Sequence, residues 1–473
     1  MATSRPIAVS KSNIDEIIDE DSRLTKLIYS YLTSAVGWLI FGTFIGLFLG
    51  LKFVYPDLGN YPWLSFGRLR PIHTNVVFWG WSSLSMMALA LYVVPRTSQR
   101  RLFNIQLSRQ ALYIINVSIL LGVLSLLFGV NNGGQEYREF IWPVMWLFAL
   151  GISANLLNFY NTVALRKTEE IYLSNWYIIA AFIWTFVVVV IAYLPFYQHS
   201  LGETVIQGYY MHMGVGMWFT PMVLGLTYYF LPKLLNKPIY SYSLGVLGFW
   251  TQMVFYSLIG AHHFVFSPVP WWLQTVAIVF SIGMFVTLFA GTGNFLLTMK
   301  GSFRTIKKSY SLPFILVGVI FYFLASGQGS LEALRSLNEI WHFTNYTVAH
   351  SHLTMYGFVA FLIWGGIYAL LPRLTGKEPS HLLVGVHFWF ALIGLLVYGF
   401  ALMIGGTLQG KSWIEQQPFI NSVELMSSFW LWRAIGGTFM FIAHIVFAVN
   451  IVKMKPVLSK EFETEKKIAS EPI

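Results

Sequence analysis

The sequence predicts an all-α integral membrane protein of about twelve transmembrane helices, with both termini in the cytoplasm. Three observations carry this. Of the 473 residues, 56% are hydrophobic and only 11% charged, where a soluble domain has about 25% charged. The apolar residues gather into twelve stretches near the ~20 residues that a bilayer requires. The basic residues between those stretches fall mostly on one side.

Residues 1–26 are polar, with the acidic runs Asp15-Glu16 and Asp19-Glu20-Asp21. They read as a cytoplasmic tail with no cleavable signal peptide. The expected spans are 27–55, 72–95, 109–130, 141–165, 175–195, 208–232, 242–266, 271–299, 309–330, 343–372, 382–407 and 425–452. Residues 27–452 thus form one twelve-helix domain, and the polar stretch 453–473 is a second cytoplasmic tail.

The loops after the even spans hold fourteen basic residues: Arg96, Arg100, Arg101 and Arg109; Arg166 and Lys167; Lys233 and Lys237; Lys300, Arg304, Lys307 and Lys308; Arg373 and Lys377. The loops after the odd spans hold five: Arg68, Arg70, Arg138, Arg335 and Lys411. The positive-inside rule then orients the chain.

Composition also excludes. With no cysteine, the chain can form no disulfide, iron–sulfur cluster, thiolate copper site or Cys-x-x-Cys-His haem attachment. The net charge of +10 reads as cytoplasmic loops and gives no reason to expect nucleic acid. The 40 Phe, 25 Tyr and 18 Trp suit lipid-facing surfaces and interfacial belts.

Eleven histidines remain to be explained. His73 opens span 2. His212 lies in the first turns of span 6. His262 and His263 close span 7, and His350 and His352 lie early in span 10. Under the predicted orientation all six fall at one depth, within roughly two or three turns of the outer face. An imidazole is costly in lipid without a partner, so these six belong inside the bundle.

Neutral imidazole is a ligand for copper, zinc and haem iron. His262, His263 and His212 can together make a three-nitrogen site, which suits copper or zinc. His350 and His352 stand two apart on a helix and point about 200° apart, so they cannot serve one metal. One of them with His73 can clamp a six-coordinate haem, and the other can hold a five-coordinate haem. Tyr256 precedes His263 by seven residues, which on a continuous helix places both on one face about 10 Å apart.

The motifs resemble catalytic subunit I of the haem–copper oxidases, most of all the cbb3-type cytochrome c oxidases. They are Gly67-Arg68-Leu69-Arg70-Pro71-Ile72-His73-Thr74, Tyr228-Tyr229-Phe230-Leu231-Pro232-Lys233, Tyr240-Ser241-Tyr242, Gly260-Ala261-His262-His263, Ala349-His350-Ser351-His352 and Arg433-Ala434-Ile435-Gly436-Gly437. The resemblance implies that His73 and His352 are axial ligands of a low-spin haem b. It implies that His350 is the proximal ligand of a high-spin haem b3, and that His212, His262 and His263 hold copper B. Tyr256 matches the active-site tyrosine, which in this branch is cross-linked to the copper ligand corresponding to His212. Gly216 stands four residues after His212, where other branches carry that tyrosine in the same helix.

Glu136 and Glu139 resemble an outer-loop pair near a structural calcium. His342 matches a histidine on the propionate side of the haems, and Tyr242 and Tyr322 match positions of a cytoplasmic proton path. One position departs. Twenty-two residues before His350 the family has a glutamate that meets the proximal histidine, and here stands Gln328. An amide accepts from the imidazole N–H without the charge that makes the ring more basic.

The expected function is a respiratory terminal oxidase of the bacterial inner membrane, reducing O2 to water with protons taken from the cytoplasm and others pumped. Electrons would come from cytochrome c through partner subunits that carry c-type haem. Two alternatives stay open: a nitric oxide reductase of the same superfamily, and a haem-free proton-coupled transporter.

Overall fold

The computed structural model describes residues 21–133, 135–194 and 199–456. The N-terminal tail to residue 20 and the C-terminal tail from 457 lie outside the described residues. Between them the chain crosses the bundle twelve times. The helices are α1 (Ser22–Lys52), α2 (Phe66–Thr97), α3 (Ile105–Leu127), α4 (Trp142–Ala164), α5 (Leu173–Ala192), α6 (200–235) and α7 (Tyr242–Tyr256). They continue as α8 (Trp271–Met299), α9 (Leu312–Glu332), α10 (Asn345–Thr375), α11 (His381–Ile414) and α12 (Phe419–Lys453). Ten of them are long and apolar enough to cross a bilayer. Of the other two, α6 carries His212 and α7 carries Tyr256.

Local signals set many of the ends. Asp21, Asn104, Ser241, Thr344 and Ser380 cap helices α1, α3, α7, α10 and α11 through side-chain oxygens that accept backbone N–H groups. Helix α10 stops at Gly376, whose φ of +65° closes the C-terminus in the left-handed region. The first and last helices lie side by side, and Tyr29 donates a 2.9 Å hydrogen bond to the carbonyl of Ile451. This brings the start of α1 and the end of α12 to one face, as twelve crossings require. Helices α11 and α12 meet at two glycines. A Cβ at Gly394 would stand 2.8 Å from the Gly436 carbonyl, and one at Gly436 would stand 2.7 Å from the Gly394 carbonyl.

The bundle is not uniform in depth. The most apolar windows of α2 and α10 are 94% and 89% buried, whereas the other eight long spans reach 39–50%. These two helices therefore form the interior, and they carry His73, His350 and His352.

Three helices change pitch just past a histidine. The π-helical segments are Val76–Ser82 after His73, Gly214–Phe219 after His212 and Leu353–Ala360 after His352. Such wide turns free backbone groups from regular pairing and are common at functional sites. Here one freed carbonyl, that of Gly216, accepts a 2.6 Å hydrogen bond from the buried Gln252 of α7.

The structure corrects one expectation. Span 7 does not run unbroken over 242–266. Helix α7 ends at Tyr256, and His262 and His263 lie in a separate short 3-10 turn, Gly260–Phe264. Tyr256 and His263 therefore do not share a helix face. The local cause is a change of direction at Ser257–Ile259, after which Gly260 packs against the backbone of Tyr209 at 2.7 Å from its hypothetical Cβ.

Candidate metal centre

Two cavities lie on opposite sides of α10. The larger, of about 740 Å³, is lined by His212, His262, His263, His350, Tyr256 and Tyr322. The smaller, of about 310 Å³, is lined by His73, His352, Arg70, Arg433 and Tyr398. His350 and His352 thus face different cavities, as their spacing predicts.

In the larger cavity the ligand atoms of His212, His262 and His263 lie within 4.8 Å of one another. His263 Nε2 and His212 Nδ1 are 3.2 Å apart. Two nitrogens bound to one tetrahedral ion at 2.0–2.1 Å stand roughly 3.3 Å apart, so the pair already has the spacing of co-ligands. Ser281 directs the third ring. Its hydroxyl donates to the Ala277 carbonyl and so accepts from His262 Nδ1 at 2.6 Å, which leaves Nε2 for a metal. No carboxylate joins this cluster among the described residues.

Tyr256 belongs to the same cluster by a different route from the one expected. Its ring stacks on His212 with centroids 4.7 Å apart and planes 25° apart. His212 turns Nδ1 toward His263, and its Nε2 has no partner. The stacking depends on Gly216, since a Cβ there would fall 1.5 Å from Tyr256 Cε1.

In the smaller cavity His73 and His352 face each other nearly parallel, with centroids 6.4 Å apart and planes 16° apart. Each Nδ1–H donates to a backbone carbonyl at 2.8 Å, His73 to Gly42 and His352 to Val348. Both rings therefore present Nε2, with its lone pair, to the gap between them. The separation admits one metal ion between opposed nitrogens. Arg433 caps this cavity with an unpartnered buried Nε, a donor suited to an anionic group such as a carboxylate.

His350 has two neighbours on α9. Gln328 Oε1 lies 3.3 Å from its Nδ1, and Glu332 Oε1 lies 3.7 Å from the same nitrogen. Reading from the sequence found Gln328 and missed Glu332. The signal was present, because Glu332 follows Gln328 by four residues on one helix face. A carboxyl group thus stands one turn beyond position 328 on the same face.

The remaining candidates divide. Tyr322 is buried, lines the larger cavity and has an unpartnered hydroxyl. Tyr242 is 48% exposed at the start of α7 and lines neither cavity. Between them lie Asn294 and Tyr228, both buried and 3.5 Å apart through Nδ2 and the hydroxyl, which sequence reading did not single out. His342 lines the larger cavity outside the span, and burial lowers its pKa to about 4. Glu136 and Glu139 both meet Arg70. Glu136 pairs with it closely, and Glu139 stands 3.5 Å from it while accepting a 2.8 Å bond from Asn75. Burial pushes the Glu139 carboxyl up, against the pull of Asn75 and Arg70.

A twelve-helix bundle with three converging imidazoles, a facing histidine pair and a sixth histidine, His350, beside the three defines a membrane metalloprotein of the haem–copper class. Residues 26–439 match the family of cytochrome c and quinol oxidase polypeptide I, and the chain belongs to that family. It is 31% identical over 445 residues to the cbb3-type cytochrome c oxidase subunit CcoN1 of Stutzerimonas stutzeri, covering 90% of this chain and 94% of that one. A nitric oxide reductase chain of the same organism is more distant, 23% identical over 87% of this chain and 90% of its own. A solved haem–copper terminal oxidase dimer matches the fold with a TM-score of 0.78 and 15% identity, covering 92% of this chain and 85% of its own. Membership implies haem and copper, and places the chain in a membrane complex as subunit I.

Proposed function

We propose that this chain is the catalytic subunit of a cbb3-type respiratory oxidase of the bacterial inner membrane, reducing O2 to water. The observation that supports it most is the convergence of His212, His262 and His263 in the cavity that His350 also lines, with Tyr256 stacked on His212. Copper B would be held by the three histidines. A high-spin haem b3 would be held by His350, and a low-spin haem b by His73 and His352. When bound, these groups supply electrons and an open position for oxygen.

The chain's own residues handle protons and orientation. Backbone carbonyls and Ser281 fix the tautomers of His73, His352 and His262. Gln328 Oε1 accepts from the Nδ1–H of His350 at 3.3 Å, and Glu332 stands 3.7 Å from the same nitrogen. Tyr256, half-buried and stacked on His212, would supply a proton and an electron from its hydroxyl when oxygen is reduced. Tyr322 lines the same cavity and continues the route toward Tyr228 and Asn294 on the cytoplasmic side, with Tyr242 at its mouth. Pumping of further protons outward belongs to the same reading. Electrons would enter from c-type cytochrome subunits, with cytochrome c as donor, because a chain without cysteine cannot attach haem covalently.

Oxygen and nitric oxide consumption by the purified complex, with metal analysis of the same sample, test this reading. One copper for about every two haems, with O2 turnover, is expected. Non-haem iron without copper would sink it in favour of nitric oxide reduction. Absence of b-type haem bands after dithionite would instead favour a transporter.

Two further results are expected. Glu332→Gln replaces the carboxyl beside His350 with an amide, and the midpoint potential of the haem on His350 is expected to rise and its iron–histidine stretch to weaken. Turnover falls by roughly tenfold, the lower range for loss of a ligand's outer partner. An unchanged potential and stretch would assign the role to Gln328 alone. Glu136 and Glu139 are the proposed calcium pair, with Arg70 as competitor for the carboxylates. Chelation with EGTA is expected to lower Tm, and an unchanged Tm would leave Arg70 as the cation that neutralises them.

A further inference from the structure

One buried amide in the larger cavity is hydrogen-bonded at one end only. Gln252 of α7 is 0% exposed and lines that cavity together with Tyr256, Tyr322 and Ser326. Its side chain meets the carbonyl of Gly216 at 2.6 Å. A carbonyl oxygen only accepts, so the atom facing it is Nε2. Oε1 is then left over, buried and without a hydrogen-bond partner among the described residues. An unsatisfied buried acceptor is costly, and a resident donor is the usual remedy.

Tyr322 of α9 faces the same cavity with a donor to spare, because its hydroxyl is also buried without a partner. That hydroxyl lies 3.4 Å from a Cβ built at Gly291 of α8, and a Cβ built at Gly248 of α7 lies 4.0 Å from the Gly291 nitrogen. The Tyr322 hydroxyl therefore stands beside α7 near the level of Gly248. Gly248, Gln252 and Tyr256 follow one another at four-residue steps on one face of α7, roughly 6 Å apart along the axis. Gln252 is thus the residue between Tyr322 and Tyr256. Helical side chains lean toward the N-terminus, so the Tyr256 ring leans back over the turn that carries Gln252. Both side chains meet Gly216, the ring at its α-carbon and the amide at its carbonyl.

Two hydroxyls and one acceptor around one cavity give a water molecule the two to four polar partners it needs. The amide is also well anchored. Its Nε2 ties α7 to the π-helical segment Gly214–Phe219, which begins two residues after His212. The neighbouring Thr251 ties α7 to α8, accepting a 2.8 Å bond from the Thr287 hydroxyl. Helix α7 is therefore held on two sides one turn before Tyr256. An amide carries no titrating proton, so Gln252 can orient a proton carrier without becoming one.

We propose that Gln252 is a positioning residue of the larger cavity. Its Nε2 sets α7 against α6, and its Oε1 holds one water molecule between the hydroxyls of Tyr322 and Tyr256. This role rests on the reading of the two tyrosines as parts of one proton route, and it supplies the link between them. When Tyr256 has given up its hydroxyl proton, the water donates one to the phenol oxygen and takes one from Tyr322. One O–H bond breaks and one forms at each transfer, and Gln252 keeps both of its N–H bonds throughout.

The test uses the whole purified complex with carbon monoxide bound in the larger cavity. Releasing it by light disturbs the cavity, and the light-minus-dark infrared difference spectrum shows a buried water as an O–H stretching band that moves when the water oxygen is isotopically labelled. The wild type is expected to show this band. Gln252→Met keeps the length of the side chain and loses both of its hydrogen bonds. It is expected to lose the band, with kcat roughly tenfold lower and KM for oxygen unchanged. Gln252→Glu keeps an oxygen in place of Oε1 and is expected to recover the band and most of the turnover. If Gln252→Met loses haem, Tyr322→Phe, which removes the donor on the opposite wall, carries the same expectation for the band. No water band in the wild type, or an unchanged band or kcat in Gln252→Met, overturns the role. Wild-type turnover in Tyr322→Phe fails the proton route instead, whatever the band shows in Gln252→Met.

Discussion

His350→Ala is expected to lose the high-spin haem and keep the low-spin one, and His352→Ala to do the reverse. The two side chains are two residues apart, yet they face different cavities. His352 is stacked opposite His73 at 6.4 Å, with Tyr398 4.4 Å away on its other side. His350 lines the cavity of His212, His262 and His263, is hydrogen-bonded to Gln328 and has Glu332 3.7 Å from its Nδ1. Alanine at either place removes one proposed metal ligand and leaves the other cavity intact. A haem-content assay with carbon monoxide difference spectra reads both outcomes, since only the five-coordinate haem binds carbon monoxide. Turnover should fall by at least about a hundredfold in each variant. A His350→Ala protein that keeps both haems and its carbon monoxide signal would overturn the assignment.

That contrast was legible from the sequence because it depends only on helix periodicity. Two residues on a helix point about 200° apart wherever the helix sits. The span number was legible for a similar reason, since bilayer thickness acts on the chain locally. What was not legible depends on tertiary packing. Helix α7 reads as apolar through residue 266, but Gly260 docks on the Tyr209 backbone and the helix stops at Tyr256. The three π-helical segments leave no mark in apolar periodicity. The part of Glu332 is not legible from position 328 alone, because His350 meets a face of α9 that spans a full turn. Arg70 lies in a quoted motif, yet its pairing with Glu136 and Glu139 joins residues far apart in the chain.

Gly216→Ala is expected to displace Tyr256 and remove most of the oxygen-reducing activity while both haems remain. The built Cβ would sit 1.5 Å from Tyr256 Cε1 and 1.7 Å from Cζ, which no repacking of a flexible tip relieves. The ring is bounded on its other side by His212, at 4.7 Å between centroids. The backbone of Gly216 is held as well, because its carbonyl accepts from the buried Gln252 one turn before Tyr256. The phenol must therefore leave the histidine cluster, or α7 must shift from α6. Overpacking of this kind costs about 1–3 kcal/mol of stability, a minor loss beside that of a proton and electron donor. Turnover should match that of Tyr256→Phe, and the double variant should be no worse than either single one, because both changes act through the same hydroxyl. Gly37→Ala, with nothing within 4 Å of its Cβ, controls for adding a methyl group to the bundle. Wild-type turnover in Gly216→Ala, or strict additivity with Tyr256→Phe, would show that this tyrosine does not act from where it is stacked.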